Sequence, residues 1–282
     1  MLNPAYPTLR SAASQDSPHP PVRPPLPREH GAWGLLFQPL LAAALLASAF
    51  SWLFLAALGL ASCGSLLREP LTVFIRHRFL WKRDTIESRM ALRWLLVTGG
   101  GATLCAAMLA TAYPAPILLG ILAGGALLTA FAVAMTLRNR QRSLALQTVS
   151  AIALSGTGWL VFLLFPQTST HLAWVLWALL ALHAVATIPI VHCRLERKAH
   201  KPRSAALENG SWLLVALSSL ACLVVPQLWP PLLFSAVANS WELLRLRDQG
   251  QLSQPVARVG LRLLAASLIH TVLTVVALQT YL

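Results

Sequence analysis

Apolar runs recur along this chain at the length of a bilayer, and the charged side chains gather between them or at their ends. About 20 apolar residues in a helix span the ~30 Å hydrocarbon core. Nine such runs are read near 32–49, 50–67, 92–111, 115–136, 144–165, 172–191, 211–226, 229–243 and 261–281. In lipid every backbone N–H and C=O must be bonded within the protein, which leaves helix bundles or closed barrels. The runs are rich in Leu and Ala and lack alternation of period two, which excludes a barrel. The sequence therefore predicts an all-α fold, a polytopic transmembrane bundle of about nine helices. Runs seven and eight are short, as a tilted or partly re-entrant span would be.

Charge supplies the orientation. Hydrophobic residues make up 56% of the chain and charged ones only 11%, against about 25% charged in soluble domains. A net charge of +13 would suggest nucleic acid in a soluble protein. Here every Lys and Arg falls in the N-terminal arm or in segments 68–93, 137–147, 192–210 and 242–262, and so do the nine acidic residues, counting Glu29 at the end of the arm. The links at Phe50–Ser51, Tyr113–Pro116, Pro166–His171 and Pro226–Pro230 carry no charge. With nine spans the basic segments share one side, and the positive-inside rule makes that side cytoplasmic. The expectation is a bacterial inner-membrane protein with its N-terminus in the cytoplasm and its C-terminus outside. Its partner is the lipid bilayer and not nucleic acid.

Residues 1–28 hold eight of the 19 prolines and read as a disordered, polyproline-like cytoplasmic arm before a transmembrane domain over 29–282. Cys63, Cys105 and Cys222 lie within apolar runs and read as small hydrophobes, while Cys193 falls in an inward loop. No disulfide framework follows. His77, His192, Cys193 and His200 lack the spacing of metal ligands, so neither metal nor cofactor is expected. There is no phosphate-binding GxxxxGK[ST], no GxSxG and no HExxH.

The first span opens Glu29-His30-Gly31-Ala32-Trp33, with Pro39 six positions after the Trp. This start resembles the YwiC-like family of bacterial membrane proteins, a resemblance that implies a fold more than an activity. Leu35 stands where Met is usual in that family. Over residues 30–282 the layout also resembles the UbiA-type intramembrane prenyltransferases. That likeness implies nine helices around a cavity open to the cytoplasm, with an isoprenoid diphosphate as ligand. Those enzymes hold Mg²⁺ with Asp-rich loops after the second and sixth helices. Here the first loop has Asp84 as its only Asp, and the second, from His192 to Lys198, has none.

Arginine clamps phosphate without metal through a bidentate fork. Arg68 and Arg76, nearest the end of span two, are the candidates, with Glu69 beside them. Topology control and contact with anionic headgroups are the plainer roles for such a loop. Glu208-Asn209-Gly210-Ser211-Trp212 repeats the pattern at 29–33, and both read as starts of helices at the cytoplasmic face. Asn209 suits an N-cap, and a helix start of this kind attracts anions. Capped starts with interfacial Trp anchors are the alternative. His30, Gly31, Trp33, Gln38, Arg68, Glu69, Arg76, Asn209, Gly210 and Trp212 thus form the candidate ligand set, the ligand being an isoprenoid or other anionic lipid. Prenyl or lipid-group transfer without metal is the leading reaction. His183 and His270 lie mid-span, where ionisable groups mark function by default. They support a second class, a small-molecule or proton-coupled transporter. Asn239 and Glu242 share one helix face. A scaffold or assembly factor for a respiratory complex is the third class.

Overall fold

The computed structural model describes residues 30–48, 50–164, 169–200, 202, 204–252 and 254–280. The proline-rich arm lies outside these. Among the described residues the chain is helical throughout: α1 His30–Leu46, α2 Trp52–Ile75, α3 Ile86–Leu109, α4 Ala115–Leu137, α5 Leu144–Ser155, α6 Trp159–Phe162, α7 Thr170–Lys198, α8 Ala205–Val224, α9 Trp229–Arg245, α10 Gln249–Leu252 and α11 Val256–Gln279. A 3₁₀ turn at Gly156–Gly158 joins α5 to α6 in one rod, and α10 is a single turn. Nine rods remain, at the nine positions expected. Seven are long and apolar enough to cross a membrane, while α1 and α9 have 17 residues each.

α8 starts at Ala205 and α11 at Val256, ahead of the expected 211 and 261, so that run seven is a 20-residue span and not a short one; three further boundaries differ for a local reason. α2 does not end near residue 67; it runs on to Ile75 and through a π turn at Arg76–Leu80. The expected loop 68–93 shrinks to a short link, because the aliphatic stems of Arg68 and Arg76 let them ride on a helix with the charge held outward. α3 then starts at Ile86, where Thr85 and Ser88 form a reciprocal capping box. α7 extends to Lys198, so Cys193 is buried in a helix and not placed in a loop. Arg197 and Lys198 sit in its last turn, where cations favour the helix dipole.

α7 is the central rod. Over half of its apolar window (56%) is buried, against 11–33% for the other six long spans. α5, α8, α9, α11 and α1 all pack on it. α2 pairs with α3 and α4, and α8 pairs with α9. Leu96, Leu104, Leu119, Leu127, Leu213 and Leu223 stand exposed on the outer rods, as residues facing lipid do.

The first half of α7 faces a dry core. Leu40, Phe54, Leu109, Val161, Leu172, Leu176, Leu180 and Leu278 meet there. Tyr113 closes it by donating its hydroxyl to the Leu160 carbonyl. Gly158 brings the 3₁₀ turn against α1, since a Cβ there would lie 2.9 Å from the Pro39 carbonyl oxygen. The second half of α7 faces a smaller apolar cluster, Ile190, Cys193, Val215, Ala236, Leu243 and Leu246, and a seam of polar side chains.

Candidate functional site

The seam runs between α7, α9 and α11. Ser235, Asn239 and Glu242 follow one another at intervals of four and three along α9, which keeps them on one face. All three are buried. Glu242, at the end toward the basic segments, receives a two-bond fork from Arg262 of α11, Nε to Oε1 at 2.5 Å and Nη2 to Oε2 at 2.7 Å. The third guanidinium nitrogen of Arg262 reaches Gln254 Oε1 at 3.4 Å. One turn deeper, the Asn239 amide donates to the Ser235 carbonyl at 2.9 Å and to its hydroxyl at 3.3 Å. The Ser235 hydroxyl lies 3.0 Å from His183 Nδ1 of α7.

His183 stacks on His270 of α11. Their ring centroids are 4.3 Å apart and the planes are inclined by 16°. Both rings are almost wholly buried, at 3% and 1% exposure. His270 places Nδ1 3.1 Å from the Pro231 carbonyl and Nε2 3.2 Å from the Leu179 carbonyl. A carbonyl only accepts, and a neutral imidazole has a single N–H. A neutral ring donates to one of the two carbonyls and a doubly protonated ring to both. His183 Nε2 is buried with no hydrogen-bond partner among the described residues. The seam thus has a protonatable pair midway along α7, a hydroxyl and an amide leading from it, and an ion pair at its basic end.

The basic segments meet at that end. Arg197 donates to Glu208 Oε2 at 2.8 Å and to the Leu246 carbonyl at 2.5 Å. Lys198 reaches the Gln254 carbonyl at 3.5 Å, and His192 lies 3.0 Å from Gln147 of α5. Arg194, 5% exposed, lies among them.

The remaining expected site residues are dispersed. Arg68 pairs at 3.1 Å with its neighbour Glu69, both about a quarter exposed. Arg76 lies over the Trp81 ring at 6.0 Å. Arg68 is on α2 and Arg76 opens the π turn that continues it; α2 packs on α3, α4 and α1, whereas Asn209, Gly210 and Trp212 are on α8, which packs on α7 and α9. Asn209 is not an N-cap. Ser204 caps α8, accepting from the Leu207 N–H at 3.4 Å, so Asn209 and Gly210 lie within the second turn and do not present free N–H donors. Trp212 packs on the apolar cluster. The side chains of His30 and Gly31, and all of Glu29, lie outside the described residues; Trp33 stacks on Phe37 at 5.5 Å. Gln38 is buried against α11, accepting from Ser267 at 2.7 Å and Thr271 at 3.4 Å.

Sequence reasoning missed Ser235, Arg194, Arg197 and Arg262 as site residues. The available signal was the spacing of Ser235, Asn239 and Glu242 on a helix otherwise apolar on that face, a stripe that needs polar partners.

The family model described as YwiC-like protein matches residues 26–162. Over those residues the chain is similar to that family. The resemblance read from the first span is therefore met. The YwiC-like stretch covers just under half of the chain and ends with α6. α7, α9 and α11, which hold the seam, lie beyond it. No curated protein and no solved structure matches.

Proposed function

We propose that this multi-pass membrane protein is a proton-coupled transporter, with its proton held by His183 and His270. The observation that carries the reading is the pair of carbonyls around His270. Protonated, the ring donates to both; neutral, it donates to one, and the other carbonyl keeps only its helical N–H. Loss of the proton therefore loosens a contact between α11 and one of its neighbours, which is how a proton biases helix packing. The stacked ring of His183 limits the pair to one proton. Two positive rings 4.3 Å apart repel by about 4 kcal/mol at an effective dielectric of 20. Ser235 and Asn239 link the pair toward Glu242 and Arg262, so the proton has polar company on the side of the basic segments. By the positive-inside rule that side is the cytoplasm of a bacterial inner membrane.

The expected clamp on Arg68 and Arg76 is a weaker basis for function, because its members stand on rods that pack elsewhere. Their helix suits contact with anionic headgroups at the membrane surface.

The test needs no knowledge of the solute. Liposomes holding the protein are adsorbed on a solid-supported membrane and given a pH jump. Wild type should give a transient charge displacement that disappears in His270→Gln and in His183→Gln. An unchanged transient in the double variant would sink the reading.

A further inference from the structure

Three indoles gather at the end of the bundle that lies away from the basic segments. Trp159 opens α6, just past the 3₁₀ turn at Gly156–Gly158, and Trp174 and Trp177 lie three apart near the start of α7. The rings of Trp159 and Trp174 stand steeply to one another, with centroids 4.9 Å apart and planes inclined by 74°. Those of Trp174 and Trp177 are 5.1 Å apart and inclined by 51°. Trp177 is fixed in place, since its Nε1 donates to the Ile152 carbonyl at 2.8 Å. Gly156 leaves that ring its room: a Cβ there would lie 3.4 Å from Nε1. With Ile152, Ala153 and Gly156, the three rings line an open groove of about 360 Å³ on the outside of the bundle.

The charge at this end decides what the groove takes. Every Lys, Arg, Asp and Glu of the chain falls in the N-terminal arm, Glu29 beside it, or the segments at the other end, so an anionic headgroup meets no guanidinium here. The face of an indole is negative and attracts a cation within about 6 Å of its centroid. Two indoles at a steep angle offer two faces to one cation. Trp52 and Trp229 are exposed at the same end on separate rods, α2 and α9, as interfacial anchors are. Three rings in one concavity exceed what anchoring needs. We propose that the groove holds a phospholipid with an ammonium headgroup, the ammonium seated on Trp159 and Trp174 and the start of an acyl chain laid along Ile152 and Ala153. Its phosphate stays in water beyond the groove. By the positive-inside rule the lipid belongs to the outer leaflet. The groove is apart from the histidine seam, and its occupant does not depend on the transporter reading.

The full chain is placed in nanodiscs of equal phosphatidylethanolamine and phosphatidylglycerol, and the lipids it keeps on gentle release are counted by native mass spectrometry. Wild type should keep a phosphatidylethanolamine whose occupancy falls about fivefold or more in Trp174→Leu and in Trp159→Leu. Phosphatidylglycerol held at the basic end should be unchanged in both. Trp174 is 53% exposed, so its replacement leaves the fold intact; if Trp159→Leu does not fold, Trp174→Leu against wild type decides. Trp241→Leu, an exposed indole at the basic end beside Arg245, should change nothing. Phosphatidylcholine in place of phosphatidylethanolamine should be kept as well, and lost in the same variants, because a trimethylammonium group suits the same rings. Equal phosphatidylethanolamine in wild type and Trp174→Leu would overturn the proposal. So would an equal loss of both lipids, which would make the occupant an acyl chain without regard to headgroup. Tetramethylammonium bound at these indoles, with no lipid lost from any variant, would make the occupant a solute and overturn it too.

Discussion

The two halves of α7 face opposite kinds of interior. From Leu172 to Leu180 the helix is packed in leucine, valine and phenylalanine from α1, α2 and α6. From His183 to Arg197 it meets the Ser235 hydroxyl of α9, the His270 ring of α11, the Glu208 carboxylate of α8 and the Leu246 carbonyl. One half needs only shape; the other needs partners for every polar atom. A dry core in a membrane protein is held by packing, since lipid is as apolar as its leucines. A polar seam is costly wherever a partner is missing, and a chain that retains one has another use for it. The difference predicts that changes in the dry half alter stability without regard to pH, while changes in the seam alter stability and proton binding together.

The largest effect should come from breaking the ion pair. Arg262→Met leaves the Glu242 carboxylate, 6% exposed, without its guanidinium and should cost about 3–5 kcal/mol of stability. Thermal unfolding in detergent reads this. The double variant Glu242→Leu with Arg262→Leu should recover most of the loss. Failure to recover would mean that the pair holds the fold and is not spare for function.

Leu176→Ala, at the centre of the dry half, should cost about 2–3 kcal/mol through the cavity it leaves. The loss should be equal at every pH where the protein folds. A pH-dependent loss would couple the dry half to the seam and blur the comparison.

Gly158→Ala should cost about 1–2 kcal/mol, because the new methyl group meets the Pro39 carbonyl at 2.9 Å and the Ala43 Cβ at 3.4 Å. Gly120→Ala, with nothing within 4 Å of its added carbon, should be nearly neutral. Equal effects would show that the 3₁₀ turn does not press on α1 as described.

The smallest effect lies outside both halves, at the link before α3. Hydrogen bonds from Arg89 and Ser88 hold the Asp84 carboxyl below the usual carboxylate range. Its contribution is present at neutral pH and is lost as pH falls through that lowered value. Asp84→Asn should therefore flatten the acid limb of the stability profile slightly and leave the histidine transients unchanged.

Sequence periodicity and charge placement carry the architecture well, because lipid enforces both. Nine rods and the gathering of three basic segments, 137–147, 192–210 and 242–262, followed from runs such as 115–136 and from where Arg138, Arg197 and Arg245 fall. The ends of rods were less legible. Arg68 and Arg76 mark a loop by charge yet extend a helix by their stems, and Ser204 outcompetes Asn209 as a cap seven residues before the apolar run at 211–226 begins. His183 and His270 were visible as mid-span ionisable groups, but 87 residues separate them, and only the packing of α11 against α7 stacks their rings. Glu242 and Arg262, 20 residues apart, are brought together by the turn from α9 into α11, which no spacing rule announces.

The central claim is that one proton resides on the His183–His270 pair. Nitrogen NMR of the protein labelled at histidine, with His183→Gln and His270→Gln for assignment, reads the protonation of each ring directly. The account predicts that through about pH 4–8 the pair takes up a single proton, borne by His270 with both nitrogens protonated. Two neutral rings across that whole range, unchanged when either partner is replaced, would contradict it.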